Sequence, residues 1–431
     1  MLRLFNLSKD KEEDILKIIK NREEENPEVI SNVLNILKDI RKDGDKALVK
    51  YTKDFDKVLL NSNSIKVSKE EIEEAFNIVE ESFIKAIKSA IKNIEFYHSK
   101  QVRNGYSIVK EGEVFMGQLV LPLERIGVYV PGGTASYPSS VVMNVIPAKV
   151  AGVKEIVMVT PPSANGGINP YIAVAASLAG VSEIYKVGGA QAIGALAYGT
   201  ESIKRVDKIV GPGNIYVAMA KKLVFGTVDI DMVAGPSEIL IVADENANSK
   251  FVAADLMSQA EHDKLAASIL LTTSEEKYNE IIKELEVQIE EMERKDIIKE
   301  SFSNYGMALI CKDIKECIRI SNIIAPEHLE LMVENSMEYL GEVKNAGSIF
   351  LGYYTPEPLG DYYAGPNHVL PTNGTARFSS PLSVDSFIKK SSYLYYSKGE
   401  LIKAAEDIML LASKEGLTAH GNSVKVRFCN D

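Results

Sequence analysis

The sequence predicts an α/β protein: two domains with parallel-type sheets flanked by helices, a helical N-terminal arm and a small C-terminal tail domain. Two observations carry this. From Val128 to Asp244, short β-branched runs alternate with small-residue helical stretches, the pattern of strands joined by crossover helices. A second, looser array of the same kind follows, up to about residue 352.

In chain order, residues 9–100 read as helices. Ile15, Leu16, Ile18 and Ile19 form a short amphipathic segment that stops near Asn26-Pro27, where proline disfavours continuation. Val33, Leu34, Ile36, Leu37 and Ile40 recur at helical spacing up to the Asp43-Gly44 stop. Between Lys69 and Asn93, lysines and glutamates interleave as on a solvated helix face. From Tyr106 to Val130 the texture changes to alternation, with Glu111-Gly112 as a turn between two strands. The first array then offers IGVYV (126–130), EIVMVT (155–160), EIYKV (183–187), KIV (208–210) and EILIVA (238–243). The second offers SILLTT (268–273), MALIC (307–311), LELMV (329–333) and SIFLG (348–352). The tail begins at about residue 381.

Length and composition bound the function. With 431 residues, 45% hydrophobic and 25% charged, the chain has the make-up of a globular protein of about two to four domains. No apolar run approaches the ~20 residues that span a membrane, and the N-terminus lacks the apolar core of a signal peptide. Cys311, Cys317 and Cys429 form neither a CxxC pair nor a disulfide framework, as expected in a reducing compartment. The expected location is the cytoplasm. A net charge of −11 argues against a nucleic-acid partner, which needs clustered positive charge.

The dinucleotide fingerprint G-x-G-x-x-G is absent. Its nearest approach, Gly211-Pro212-Gly213-Asn214-Ile215-Tyr216, has tyrosine in place of the third glycine. Other glycine turns follow candidate strands at Pro131-Gly132-Gly133, Gly188-Gly189-Ala190-Gln191 and Ala234-Gly235-Pro236-Ser237. Any one of these is most simply a tight βα turn. Several at strand ends of one sheet point to a small-molecule site.

Only five histidines occur, so their settings are informative. His98, in a charged helical stretch, reads as a surface residue. Gln259 and His262 stand at i and i+3 in a helical segment, where side chains share a face roughly 5–6 Å apart and could reach one ion. Zinc takes such nitrogen and oxygen donors, although glutamine is an uncommon ligand. Asp361 could supply a carboxylate and His420 an imidazole; the competing readings are a turn or cap residue and a tail histidine. Glu327 and His328 adjoin after Pro326. They could be an acid–base pair for alcohol oxidation, or a capping acid beside a buried histidine.

Taken together, these segments resemble the histidinol dehydrogenase family. The most specific stretch is Ile230–Glu238, IDMVAGPSE. Beside it stand RIGVYVPGG (125–133), VGGAQAIGALAYGT (187–200), KIVGPGN (208–214), SQAEHD (258–263), IAPEHLEL (324–331), LGDYYAGPNHVLPT (359–372) and GLTAHGNSVKVR (416–427). DIRKDGDKALVKYTKDFD (39–56) fits as well, and the likeness runs in order from about residue 30 to 427.

The resemblance implies the following. Gln259, His262, Asp361 and His420 match the family's zinc ligands, and Glu327 and His328 its acid–base pair. Tyr129, Gln191 and Asn214 match NAD contacts. Ser237, His328 and Glu415 match residues that touch histidinol, and with the zinc ligands they make up the substrate-binding set. His368 lies in a matching motif without an evident role. The implied fold is incomplete Rossmann-like, with an arm over 1–24, a discontinuous domain over 25–128 and 239–380 carrying the metal and acid–base residues, an NAD-binding domain over 129–238, and a tail over 381–431. The implied partner is a second copy of the chain, in a homodimer whose active site both chains share.

The implied reaction is a four-electron oxidation of L-histidinol to L-histidinaldehyde and then L-histidine, the last steps of histidine biosynthesis, with two NAD molecules used in turn. Zinc orients the substrate, His328 takes the hydroxyl proton and Glu327 activates water. The cysteines stand outside glycine-rich or histidine-flanked motifs, so a thiolate route is not expected. Two rival readings are a zinc hydrolase, which leaves the glycine turns without a nucleotide, and a non-catalytic sensor, which has no need of the Glu327-His328 base. Another amino alcohol could replace histidinol as substrate.

Overall fold

The computed structural model describes all residues except 9, 11, 14–16, 19–25, 63, 112, 133–136 and 429–431. Ile15, Leu16, Ile19, Gly112, Gly133 and Cys429, singled out above, therefore lie outside the described residues. The chain divides into two compact units, one of residues 1–101 and 123–387 and the other of 102–122 and 388–431.

The strands in chain order begin with β1 Arg3–Asn6, β2 Tyr106–Lys110, β3 Val114–Pro122, β4 Arg125–Tyr129 and β5 Glu155–Thr160. They continue with β6 Glu183–Lys186, β7 Lys208–Val210, β8 Asp229–Ile230, β9 Glu238–Ala243 and β10 Ala267–Thr272. The last are β11 Met307–Ile310, β12 His328–Met332, β13 Ser348–Leu351 and β14 Ile388–Tyr396. All nine strands expected from the two arrays are present. Three were not expected: β1, the short β8 and the tail strand β14. Of these, β1 pairs in parallel with β11 at a sheet edge, so Arg3–Asn6 is extended where a helical arm was anticipated. Four residues give too short a window for a period, and their partner lies some 300 positions away.

The larger unit holds two parallel sheets. The five-stranded one runs β6-β5-β4-β7-β8 and the six-stranded one β1-β11-β10-β9-β12-β13. Both wind outward from a central pair, β4 with β7 and β9 with β12, so each has a point where the strand order reverses. Strand alternation feeds separate cores. Ile126, Val128, Ile156 and Met158 face the helices Pro138–Ala151 and Pro170–Ala179. Tyr129, Val157 and Val159 face Gly189–Tyr198, Ile215–Val224 and the N-terminal helices Pro27–Asp43 and Asp45–Asp56. Two of the N-terminal helices are capped by side chains. Asn26 accepts from Glu28 N–H ahead of Pro27, and Ser68 and Glu71 form a reciprocal capping box on Lys69–Ile78.

His98 is not on the surface. It is 0% exposed, its Nδ1 lies 2.7 Å from Gln101 Oε1, and burial lowers its pKa. Ile87, Ala90, Ile94 and His98 form the buried stripe of the helix Glu81–Ser99. Their helical spacing outweighs the charged surroundings.

The smaller unit is a three-stranded antiparallel sheet, β14-β3-β2, followed by the helices Lys398–Lys414 and Thr418–Lys425. Among the described residues, no helix is long and apolar enough to cross a membrane.

At the amino ends of β4, β5 and β6, Arg125 joins Glu155 and Glu183, the latter through Nη2 at 2.7 Å. Glu183 also accepts from Lys66 Nζ at 2.6 Å and Tyr185 Oη at 3.0 Å. Burial alone would raise the Glu183 carboxyl; the three donors outweigh it and hold it at about 2. A carboxyl lowered on folding stabilises the protein above its unfolded value of about 4.3. That contribution disappears as pH falls through the folded value. The expected outcome is that Glu183→Gln lowers stability by about 1–3 kcal/mol at pH 6, and that the gap to the unaltered protein narrows between about pH 4 and 2. Urea denaturation at several pH values measures it, and a pH-independent gap contradicts it.

Candidate active site

The acid–imidazole pair sits where β12 begins. The helix Ile314–Ile324 ends at Ala325 with φ 56, Pro326 bars its continuation, and the chain enters the sheet at His328 between Ile239 of β9 and Ser348 of β13. Gly347 N–H binds Pro326 O, and Ser348 N–H binds Glu327 O. A Cβ at Gly347 would lie 2.5 Å from Glu327 O, so only glycine permits this approach. The peptide of Glu238 then holds both side chains. Its N–H donates to Glu327 Oε2 at 2.9 Å, and its carbonyl lies 3.0 Å from His328 Nδ1. A carbonyl can only accept, so Nδ1 carries a proton. Nε2, buried, has no hydrogen-bond partner.

Carboxylates surround that free nitrogen. Glu357 Oε1 and Asp361 Oδ1 each lie 3.8 Å from His328 Nε2, and Glu327 Oε2 lies 3.8 Å from Nδ1. Burial opposes protonation of His328, but Glu327, then Asp361 and Glu357, outweigh it and raise the imidazole to about 10. Burial also raises Glu327 to about 7, against the pull of His328. Asp361 is buried too, yet His328 and His368 hold its carboxyl well below the usual range. Burial and the neighbouring Asp361 push Glu357 up to about 8.

His368 Nδ1 lies 3.1 Å from Asp361 O and 3.8 Å from its Oδ1. That assigns His368, left without a role above, to fixing Asp361. His262 is close enough to Asp361 and His328 to feel both charges, and burial lowers its pKa. It does not stand on a helix as expected: the helix Ser249–Ala260 ends two residues earlier. The following turn keeps near-helical spacing, with His262 N–H bonded to Gln259 O. Gln259 is 1% exposed, and its Oε1 has no partner.

One donor set differs from the expected four. Ligand atoms of His328, Glu357 and Asp361 lie within 4.8 Å of one another. Glu357 was missed because a lone acid between Pro356 and Pro358 has no spacing to mark it. Behind it, Glu330 Oε1 accepts Glu357 N–H at 2.7 Å, and burial raises Glu330 well above the usual range. Burial raises Asp255, beside Glu330, to about 6. Glu330 was detectable, as an acid inside the apolar run LELMV.

Tyr129, Gln191 and Asn214 lie at the carboxyl ends of the five-stranded sheet. Tyr129 ends β4, its hydroxyl accepts Gly189 N–H at 3.1 Å, and burial pushes it up to about 12. Gln191, 1% exposed in the first turn of Gly189–Tyr198, has neither amide atom partnered. Asn214 caps Ile215–Val224 through Tyr216 N–H and Val217 N–H, a role that needs no ligand. Gly211 follows β7 with φ 109, and a Cβ there would lie 2.1 Å from Tyr129 O. This contact marks the point where the strand order reverses, the usual ligand crevice of such sheets. Ser237 directly precedes β9. Glu415 and His420 belong to the smaller unit, at the end of Lys398–Lys414 and within Thr418–Lys425.

Doubly wound parallel sheets, with a buried acid–imidazole pair at one reversal point and unpartnered polar groups at the other, define an α/β protein of the enzyme-like, ligand-binding class. Residues 19–428 match the family model described as histidinol dehydrogenase. Histidinol dehydrogenase of Clostridium acetobutylicum is 60% identical over 417 residues, covering 96% of each chain. That of Caldanaerobacter subterraneus subsp. tengcongensis is 58% identical over 432 residues, covering both chains in full. The crystal structure of histidinol dehydrogenase from Elizabethkingia anophelis superposes with a TM-score of 0.92 at 42% identity, over 99% of this chain and 98% of that one. The chain belongs to the histidinol dehydrogenase family and is an oxidoreductase.

Proposed function

We propose that the chain oxidises L-histidinol through L-histidinaldehyde to L-histidine, with NAD as acceptor and one zinc ion per site. The observation that carries this is the imidazole of His328, clamped through Nδ1 and free at Nε2 beside Asp361. The residues suit both groups. Unpartnered Gln259 Oε1, with His262 and Asp361, offers oxygen and nitrogen donors that zinc accepts, and His420 would complete the set. Unpartnered Gln191, with Tyr129 and Asn214, lines the crevice for a dinucleotide. When bound, zinc supplies a fixed point for the substrate's nitrogens and NAD supplies the hydride acceptor.

His328 Nε2 takes the hydroxyl proton as hydride leaves the carbinol carbon. A cation held by Asp361 would weaken that carboxylate's hold on the imidazolium and leave Nε2 able to accept. Glu327, poised at about 7, takes a proton from water as the water oxygen adds to the aldehyde carbon. His328 Nε2 returns its first proton to the aldehyde oxygen as the hydrate forms, and accepts a hydroxyl proton of that hydrate as the second hydride departs. Ser237 and Glu415 contact the substrate. Residues 129–238 form the NAD-binding part; 25–128 with 239–380 carry the metal and acid–base groups; 1–24 and 381–431 are arm and tail. The compartment is the cytoplasm.

A homodimer with shared sites completes the reading. Exposed Phe115 and Tyr395, side by side on paired strands of the smaller unit, support it, since exposed apolar surface of this kind marks interaction faces.

Three outcomes are expected. NADH absorbance appears when histidinol, NAD and zinc are supplied, and a chelator abolishes it; a protein that binds histidinol without forming NADH is no dehydrogenase. His328→Asn keeps histidinol affinity and lowers kcat about 10²–10⁴-fold; unchanged turnover refutes the base. Purified His262→Asn lacks zinc by metal analysis. Mixed with His420→Asn it recovers about a quarter of full activity, because half of the dimers are hybrids with one intact site. Absence of recovery places both residues on one chain.

A further inference from the structure

Asp56 has no part in the reaction above, yet its position is unfavourable for an acid. It ends the helix Asp45–Asp56, where the negative end of the macrodipole disfavours a carboxylate. Its Oδ2 is buried with no hydrogen-bond partner, and burial raises the carboxyl to about 6. An unpartnered buried acid of this kind destabilises the ligand-free fold.

The helix that Asp56 ends packs against the crevice proposed for the nucleotide. The Asp56 charge bears on the Tyr129 hydroxyl. That hydroxyl accepts Gly189 N–H, and a Cβ at Gly189 would lie 2.6 Å from Gln191 Oε1. Gln191 is 1% exposed with both amide atoms unpartnered. Ala47 and Leu48, from the helix that Asp56 ends, share one core with Tyr129 and Ala190. An acceptor carboxylate whose charge reaches Tyr129 and an uncommitted carboxamide beside Gly189 therefore belong to the same end of the sheet, next to the strand-order reversal. A phosphate there would meet an uncompensated negative charge. Adjacent neutral O–H donors would meet acceptors, and a ribose cis-diol presents two.

We propose that Asp56 accepts hydrogen bonds from a ribose cis-diol of the dinucleotide; this rests on the NAD reading of Tyr129, Gln191 and Asn214. The test is fluorescence titration of the full-length protein with NADH, beside Asp56→Asn. The variant's Kd rises about tenfold or more, the loss expected for a hydrogen bond to an ionised acceptor. Its ligand-free Tm equals or exceeds that of the unaltered protein, since an unpaired buried charge has gone. AMP and nicotinamide mononucleotide, each with its 2′,3′-dideoxy counterpart, identify the ribose. The unaltered protein discriminates against the dideoxy form of one of them, and Asp56→Asn does not. Undiminished NADH affinity in the variant, or retained discrimination, overturns the proposal and leaves the NAD reading standing. Failure of the unaltered protein to bind NADH removes that reading and the proposal with it.

Discussion

The peptide group of Glu238 is the constraint on which the proposed acid–base pair depends. Its N–H and its carbonyl hold Glu327 and His328 at once, and the parallel register of β9 and β12 sets it opposite them. Backbone groups have no rotamers to lose, so the imidazole's tautomer and direction are set by the sheet itself. A slip of one residue in that pairing would turn His328 to the opposite face. The left-handed Ala325 and the close approach of Gly347 exist to make the chain enter the sheet at that residue.

Much of this was legible in the sequence, for definable reasons. Nine strands announced themselves because buried parallel strands are apolar on both faces. Local periodicity could not show β1, whose only reason to be extended is an edge 300 residues away. It also misplaced His98, where charged neighbours drew attention from the stripe through Ile87, Ala90 and Ile94. Glu327 and His328 stood out because an acid and an imidazole adjoin after a proline. Glu357 did not, since its relation to His328 exists only in three dimensions. Family likeness supplied distant residues such as Asp361, which spacing could not link to His262. The structure brings those two near each other, with His368 behind the carboxylate.

The two parallel sheets are wound alike, and their candidate sites lie at opposite ends. In the five-stranded sheet, Tyr129 and Gly211 meet at the carboxyl ends of the strands that flank the reversal. In the six-stranded sheet, the corresponding carboxyl end is closed by Asp244. Its carboxylate accepts from Glu334 N–H and Tyr353 Oη, and its N–H binds Met332 O. In that sheet the proposed acid–base pair stands at the amino ends, beside Glu238. Segment 231–237 joins the end of β8 to the start of β9, so one short connection leads from the candidate-site end of one sheet to that of the other.

His328 and Glu330 alternate along β12 with Leu329 and Leu331, which face the apolar core on the other side. The pair thus occupies a face that Ile239 and Ile241 of the adjacent strand devote to hydrophobic packing. With Asp255 and Glu357, it places a column of ionisable groups where a sheet of this class ordinarily buries aliphatic side chains. Selection for thermal endurance alone would erase that column, because well-packed apolar residues of similar volume usually match or exceed buried charges in stability. The core of this sheet thus holds a column of ionisable groups that its packing alone does not call for, and their desolvation counts against its stability.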